Sequence, residues 1–320
     1  MSEIRKLGRS GLSTPRLILG GNVFGWTADR AASFAVLDAF AAAGGRMIDT
    51  ADVYSSWVPG NEGGESETII GEWLKARGLR DKMLIATKGG YAEGLAADRI
   101  AAAAERSLAR LGIETIDLYY THKDDSETPL EETLGALDRL VKAGKVRAIG
   151  ASNYSAERLR QALDTSAARG LTSYTVLQPE YNLVEREKFE GPLQQLCVER
   201  GIAAVPYSAL ASGFLSGKYR SRDDAANRPR GAAVTGYLNE YGFGVLQAVE
   251  AVASEASATP AQVALAWLAA QPAVAAPIAS ATGVEQVEEL LGAMRLTLTS
   301  DQLARLDVNS HRRPPALKAE

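Results

Sequence analysis

The chain is poor in the residues that most often advertise a function. Its 320 residues include one cysteine, Cys197, and two histidines, His122 and His311. A lone cysteine excludes an internal disulfide and cannot build a thiolate cluster; no metal site is expected. Runs of one charge sign are also lacking, since Lys/Arg and Asp/Glu intersperse around a net charge of −4. This excludes the polybasic footprint of a nucleic-acid or membrane-surface protein. The opening MSEIRKLGRS has no apolar core of a secretory leader. The uncharged stretch 256–284 is interrupted by Pro260, Pro272 and Pro277. A spanning helix needs roughly 20 apolar residues with every backbone bond satisfied internally. A buried helix from Pro260 to Ala270 and a buried strand near Val274 to Pro277 fit this stretch better. A soluble, cytoplasmic protein is expected.

What is present is a rhythm. Short runs rich in apolar and β-branched residues recur at 16–20, 46–49, 83–88, 116–120, 146–152, 174–178, 202–207 and 273–278. Helical periodicity separates them, as in LEETLGALDRLVKAG, which has Pro129 at its start and Gly144 at its end. Largely apolar strands alternating with helices indicate a parallel sheet covered on both faces. Eight such units favour a single α/β domain over 1–320, a (β/α)8 TIM barrel. The open-sheet alternative would carry G-x-G-x-x-G after its first strand, where this chain has LGGNVFGW. The segment IRKLGRSGLSTP reads as an N-terminal β-hairpin, turning at Gly8–Gly11 and closing the barrel floor.

Barrels of this type collect their chemistry at the C-terminal strand ends. Those ends are Asp49, Lys88, His122, Asn153, Gln178, Tyr207 and the polar segment from Ser280. Adjacent strands should bring Asp49 and Lys88 into a partly buried ion pair. Tyr54, five residues past Asp49, can fold back over the opening. A phenol titrates near 10, and an adjacent ammonium lowers that value, which would make Tyr54 a general acid. His122 would orient a substrate oxygen as a second donor.

The motifs MIDTADVY (47–54), ATK ending at Lys88, DLYYTH ending at His122, GASNY around Asn153, QPEYN from Gln178 and PYSALASGFLSGKY from Pro206 together resemble the aldo-keto reductases. The resemblance implies reduction of aldehydes and ketones with a nicotinamide dinucleotide, usually NADPH, without metal or flavin. It implies a catalytic tetrad of Asp49, Tyr54, Lys88 and His122. It also implies a carboxamide site at Asn153 and Gln178 beside Ser152, and a stacking platform at Tyr207. Ser208, Leu210, Ser212 and Lys218 would hold the pyrophosphate. Arg228 is the contact expected from an irregular, otherwise solvated Arg-rich loop that also contains Arg220, Arg222 and Arg230. Ser280, Thr282 and Gln286 would complete the cofactor site.

Two departures stand out. Thr282 and Gly283 occupy positions where relatives often carry Arg or Lys against the 2′-phosphate of NADPH, and Leu290 replaces an Asn. A lost charge-assisted bond of roughly 1.5–3 kcal/mol would lower the NADPH preference and admit NADH. Phe24, Trp26 and Trp57 on the first two strand-end loops suggest an aromatic substrate wall, and SSWVPGNEGGESET a mobile rim. A small-molecule carbonyl is the expected partner. The alternatives are a cofactor-sensing subunit similar to potassium-channel β subunits, and an isomerase or lyase barrel using the same ion pair.

Overall fold

The computed structural model describes residues 3–226 and 228–311. Two short strands, β1 (Ile4–Lys6) and β2 (Ser13–Pro15), form an antiparallel hairpin. Eight further strands follow: β3 (Ile18–Gly20), β4 (Met47–Asp49), β5 (Leu84–Gly89), β6 (Ile116–Thr121), β7 (Val146–Ser152), β8 (Val176–Gln178), β9 (Ala203–Ala204) and β10 (Ile278–Ala279). All run parallel, from β3 to β9 in chain order, with β10 beside β3. Closure comes from the chain just before β10. Ala204 donates to the Ala273 carbonyl at 2.8 Å, Ala275 to Ala204 at 2.8 Å and Ile278 to Pro206 at 2.9 Å. The expected (β/α)8 barrel is therefore formed. The last strand differs in detail, because Val274 makes an isolated parallel bridge with Ala204 and ladder pairing with β3 begins only at Ile278.

Local chemistry explains where the helices begin and end. Helix Pro260–Ala269 opens with proline in its first turn and a reciprocal cap between Thr259 and Gln262. Helix Glu65–Arg77 and helix Ala97–Leu111 each stop at a left-handed glycine, Gly78 and Gly112. Among the described residues, no helix is long and apolar enough to cross a membrane. The Arg-rich loop is more ordered than its sequence suggests, with short helices at Arg222–Ala226 and Gly231–Val234.

The core has two shells. Residues outside the staves, such as Phe40, Trp73 and Leu137, pack between sheet and helices. Inside the barrel lie Ile18, Met47, Leu118, Tyr120, Val176 and Val205, joined by Leu7 and Leu12 from the hairpin. The hairpin thus seals the floor, as expected. Gly8 makes this approach feasible: at φ 57° it sits so close that an added Cβ would lie 2.3 Å from the Thr175 carbonyl oxygen. Arg5 ties the hairpin down through the Ala269 carbonyl at 2.5 Å.

Removing the plug should be costly. Leu12 is 3% exposed, and Leu12→Ala is expected to cost about 2–5 kcal/mol through lost burial and the cavity left behind. The same truncation at Ile4, 53% exposed, should stay within about 0.5 kcal/mol. Urea unfolding midpoints would separate them. Equal losses would refute a sealing role for the hairpin.

Candidate active site

The floor is closed, so the strand C-termini face the open end. There Tyr54, Trp57, His122, Ser152, Asn153, Gln178 and Tyr207 line one cavity of about 490 Å³. Asn22, Tyr91 and Lys123 line it as well. Asp49 and Lys88, at the ends of β4 and β5, sit beneath it and are fully enclosed rather than partly buried.

The Lys88 ammonium makes three bonds. It donates to Asp49 Oδ2 at 2.5 Å, to the Thr50 carbonyl at 2.7 Å and to the Tyr54 hydroxyl at 3.0 Å. The second Asp49 oxygen accepts from the Gln178 amide at 2.8 Å. Burial pulls the ammonium toward its neutral form, but Asp49 and Tyr54 outweigh it and hold the lysine above its ordinary pKa. For Tyr54 the expected sign is reversed. Burial is the largest influence and raises the phenol; Lys88 draws it down, Asp49 pushes it further up, and the net direction is upward. The sequence announces the ammonium but not the depth of burial around it.

His122 approaches Tyr54 with ring centroids 6.1 Å apart and packs on Tyr91 at 5.0 Å. Its Nδ1 is buried and has no hydrogen-bond partner among the described residues. Burial, helped by the charges of Lys88 and Lys123, pulls the imidazole down to about 3. The ring is therefore neutral near pH 7 and can offer one N–H and one lone pair.

A stability consequence follows from that shift. Unfolded His122 takes a proton near 6.5 and folded His122 only near 3, so stability falls as pH drops through this window. The loss is about 1.4 kcal/mol per pH unit. Asp52, pushed up to about 6 by burial and by Glu67, acts in the opposite sense between its folded and unfolded values. His122→Gln should isolate the histidine contribution by flattening the acid limb of stability between pH 6 and 4. An unchanged limb in denaturation midpoints would contradict a buried neutral ring.

The remaining expected residues are placed as follows. Asn153 has left-handed backbone, φ 58°. Its amide donates to the His122 carbonyl at 3.0 Å, and its Oδ1 accepts from the Tyr207 hydroxyl at 2.8 Å. Ser152 donates to the Gln178 carbonyl at 2.9 Å. Ser208, Ala211 and Ser212 all have positive φ, a concentration of strain that accompanies functional loops. Leu210 caps the short 3-10 helix Ala211–Ser216 that they shape. Lys218 lies over Gly213, where an added Cβ would meet its Nζ at 2.8 Å. Lys218 and Arg228 both approach the Tyr219 ring at 5.4 Å. Ser280 donates to Asn22 at 2.5 Å, and the Thr282 N–H donates to Gln286 at 2.9 Å. Leu290 is buried.

Of the three aromatics expected to form a substrate wall, Trp57 lines the cavity and Trp26 stands behind it. Trp26 meets Trp57 edge-on at 5.6 Å, and Trp57 meets Tyr54 at 6.2 Å. Phe24 is packed wholly into the outer core and does not line the cavity. The rim 55–64 is tethered: the Ser55 hydroxyl donates to Phe24 O at 2.8 Å, and the Asn61 amide reaches Gly25 O and Ser55 O. Sequence reasoning missed Asn22, Tyr91 and Lys123, each two residues past the end of a strand, where a slightly wider reading of the strand ends finds them. It also placed Arg230 in solvent, whereas its guanidinium stacks 5.5 Å from the Trp26 ring. Nothing in the local sequence marks that arginine apart from its neighbours.

Among the described residues, no group of His, Cys, Asp or Glu could hold a metal ion. Comparison with known proteins matches residues 16–310 to the Aldo/keto reductase family. The chain is 35% identical over 282 residues to Aldo-keto reductase yakc of Schizosaccharomyces pombe, a name that carries NADP(+), covering 84% of this chain and 79% of the relative. It is 30% identical over 322 residues to L-glyceraldehyde 3-phosphate reductase of Escherichia coli O157:H7, covering 95% and 91%. It is 32% identical over 307 residues to a probable voltage-gated potassium channel subunit beta of Oryza sativa, covering 91% of each. The architecture, the residues around the cavity and these matches agree: the chain belongs to the aldo/keto reductase family.

Proposed function

We propose that the protein is a carbonyl reductase that takes NADPH, and also NADH, and converts aldehydes or ketones reversibly to alcohols. One observation carries this reading: a buried ammonium bonds at once to a carboxylate and to a phenol, directly under a cavity that a neutral imidazole also lines. Proton donation needs a hydroxyl held in its acid form at neutral pH, and the raised Tyr54 phenol meets that need.

The cavity residues suit a nicotinamide dinucleotide. Asn153 is fixed by bonds on both ends of its amide, which would orient it toward a carboxamide. The strained turn around Ser208, Leu210 and Ser212 presents backbone N–H groups of the kind that hold phosphates. Lys218 is pulled below its ordinary pKa by burial and by the charges of Arg230 and Arg228, with Glu289 opposing; a phosphate against Lys218 and Arg228 would relieve that repulsion. Ser280, Thr282 and Gln286 would receive the adenosine end. Between 280 and 286 there is no cation, and the Glu285 carboxylate lies near Gly283, which supports acceptance of NADH beside NADPH.

When bound, the nicotinamide supplies a hydride to the carbonyl carbon. Tyr54 gives its hydroxyl proton to the carbonyl oxygen, so the bond from oxygen to hydrogen forms as the phenol loses it. Lys88, fixed by Asp49, stabilises the phenolate left behind. The His122 N–H donates to the same carbonyl oxygen and keeps it in line, and Tyr207 offers a face for the nicotinamide ring. The name of the Escherichia coli relative supports an aldehyde as substrate class, and that of the Oryza relative supports the second reading, a cofactor-binding regulatory subunit. The intact set of Asp49, Tyr54, Lys88 and His122 favours turnover, because a pure sensor has little use for the imidazole.

The test is oxidation of NADPH and of NADH by the purified protein across a panel of aldehydes and ketones. Carbonyl-dependent loss of reduced-nicotinamide absorbance supports the reductase. Tight cofactor binding with no turnover favours the regulatory subunit, and no binding of either cofactor removes the assignment.

A further inference from the structure

We infer that Arg230, which reaches the cavity's edge through Trp26 and Trp57, is an anion receptor, and that carbonyl compounds bearing a carboxylate or phosphate are preferred over neutral ones. This rests on the reductase reading.

Arg230 differs from the other arginines of its loop. Arg220 pairs with Glu250, and Arg228 lies with Lys218 against Tyr219. Arg230 instead crosses to the loop after β3 and stacks on Trp26. From there the aromatic series Trp26, Trp57, Tyr54 leads to the reacting hydroxyl. Arg230 is close enough for its charge to draw the Tyr54 phenol downward, and burial disfavours its own charged form.

The guanidinium is unfinished. Its Nη2 is buried and, among the described residues, has no hydrogen-bond partner and no carboxylate in ion-pairing range. A guanidinium stays charged and presents donors in a planar fork, so leaving one arm dry and unpaired is unfavourable until an anion arrives. Carboxylate and phosphate oxygens match that fork in two-point geometry. Stacking on Trp26 holds the fork in place. A substrate with its carbonyl at Tyr54 and an anionic group across a flat apolar spacer would lie along the wall and complete Arg230.

The experiment compares wild type with Arg230→Met and Arg230→Lys on three aldehydes: 4-formylbenzoate, 4-formylphenyl phosphate and the neutral methyl 4-formylbenzoate. The ratio of kcat/KM for anionic over neutral aldehyde should fall about 10- to 100-fold in Arg230→Met and recover in part in Arg230→Lys, which also guards against a collapsed loop. The larger loss of the two anions identifies which group the site is built for. NADPH dissociation constants, followed by its fluorescence, should move far less than this ratio. An unchanged ratio overturns the inference. So does a parallel loss on all three aldehydes with weakened NADPH, which would assign Arg230 to the cofactor. If wild type reduces none of them, the reductase reading falls, and a tryptophan-fluorescence titration with 4-formylbenzoate still decides on Arg230. Weaker binding by Arg230→Met supports the receptor, and equal binding removes it.

Discussion

Tyr54→Phe should lower kcat for carbonyl reduction by about 10²- to 10⁴-fold, the range a positioned general acid supplies, while NADPH still binds. Phenylalanine keeps the ring, and with it the edge contact to Trp57 and the cation–π contact with Lys88, whose Nζ lies 4.7 Å from the ring centroid. What disappears is the hydroxyl that receives a bond from Lys88 at 3.0 Å. The change is therefore chemical more than structural, and melting behaviour should barely shift. The raised phenol pKa sets the pH profile. The acid form persists through neutrality, so the wild-type reduction rate should be flat there and decline only in alkali. Single-turnover rates would check both points. A variant that keeps more than about a tenth of the wild-type rate would move the proton donor elsewhere.

The second large effect falls on stability. Lys88→Met leaves Asp49, 2% exposed, as a buried carboxylate with the Gln178 amide as its remaining side-chain donor. Removing one partner of a buried pair costs about 3–5 kcal/mol. The sign with pH can be worked out. Without the ammonium, burial raises the folded pKa of Asp49 further above its unfolded value, so the group favours folding at low pH and loses that advantage as pH rises. The deficit of Lys88→Met should thus be largest near neutrality and shrink as pH falls. Asp49→Asn added to Lys88→Met should recover much of it, because no charge remains to be desolvated. Urea denaturation of the three variants at pH 7 and pH 5 tests this. A deficit below about 1 kcal/mol, or one indifferent to pH, would mean that water reaches the pair.

Much of this was legible because a barrel strand is buried on both faces and leaves a mark that short-range reading can find. IDLYY and VRAIGAS stand out as short, largely apolar runs, and the polar residue at or after the end of each run marks the mouth. That rule brings Asp49, Lys88, His122, Asn153, Gln178 and Tyr207 to one end of the barrel. The weak strands were less sharply bounded. Ala203–Ala204 and Ile278–Ala279 are two residues each, and their limits depend on closure across the barrel rather than on their own composition. Side-chain environment was legible only in part. The sequence places a lysine near Tyr54 but gives no measure of the desolvation that overrides it. Phe24 and Trp26 look alike as loop aromatics, yet one fills the outer core and the other faces Arg230. Gly25 between them packs close to Glu65 and Ile69 of helix Glu65–Arg77, a contact distant in sequence that no local pattern announces.

The plugged floor has a consequence for how the chain is made. Arg5 and the Ala269 carbonyl it binds stand 264 residues apart, and Ile18 of β3 pairs with Ile278 of β10. A ribosome adds about 5–20 residues per second, so Arg5 emerges roughly 13–50 s before its partner exists. Through that interval Leu7, Leu12 and one edge of β3 have nowhere to go. A segment made early in this stretch of chain therefore waits for partners made late, and it is one that a nascent-chain chaperone has reason to hold.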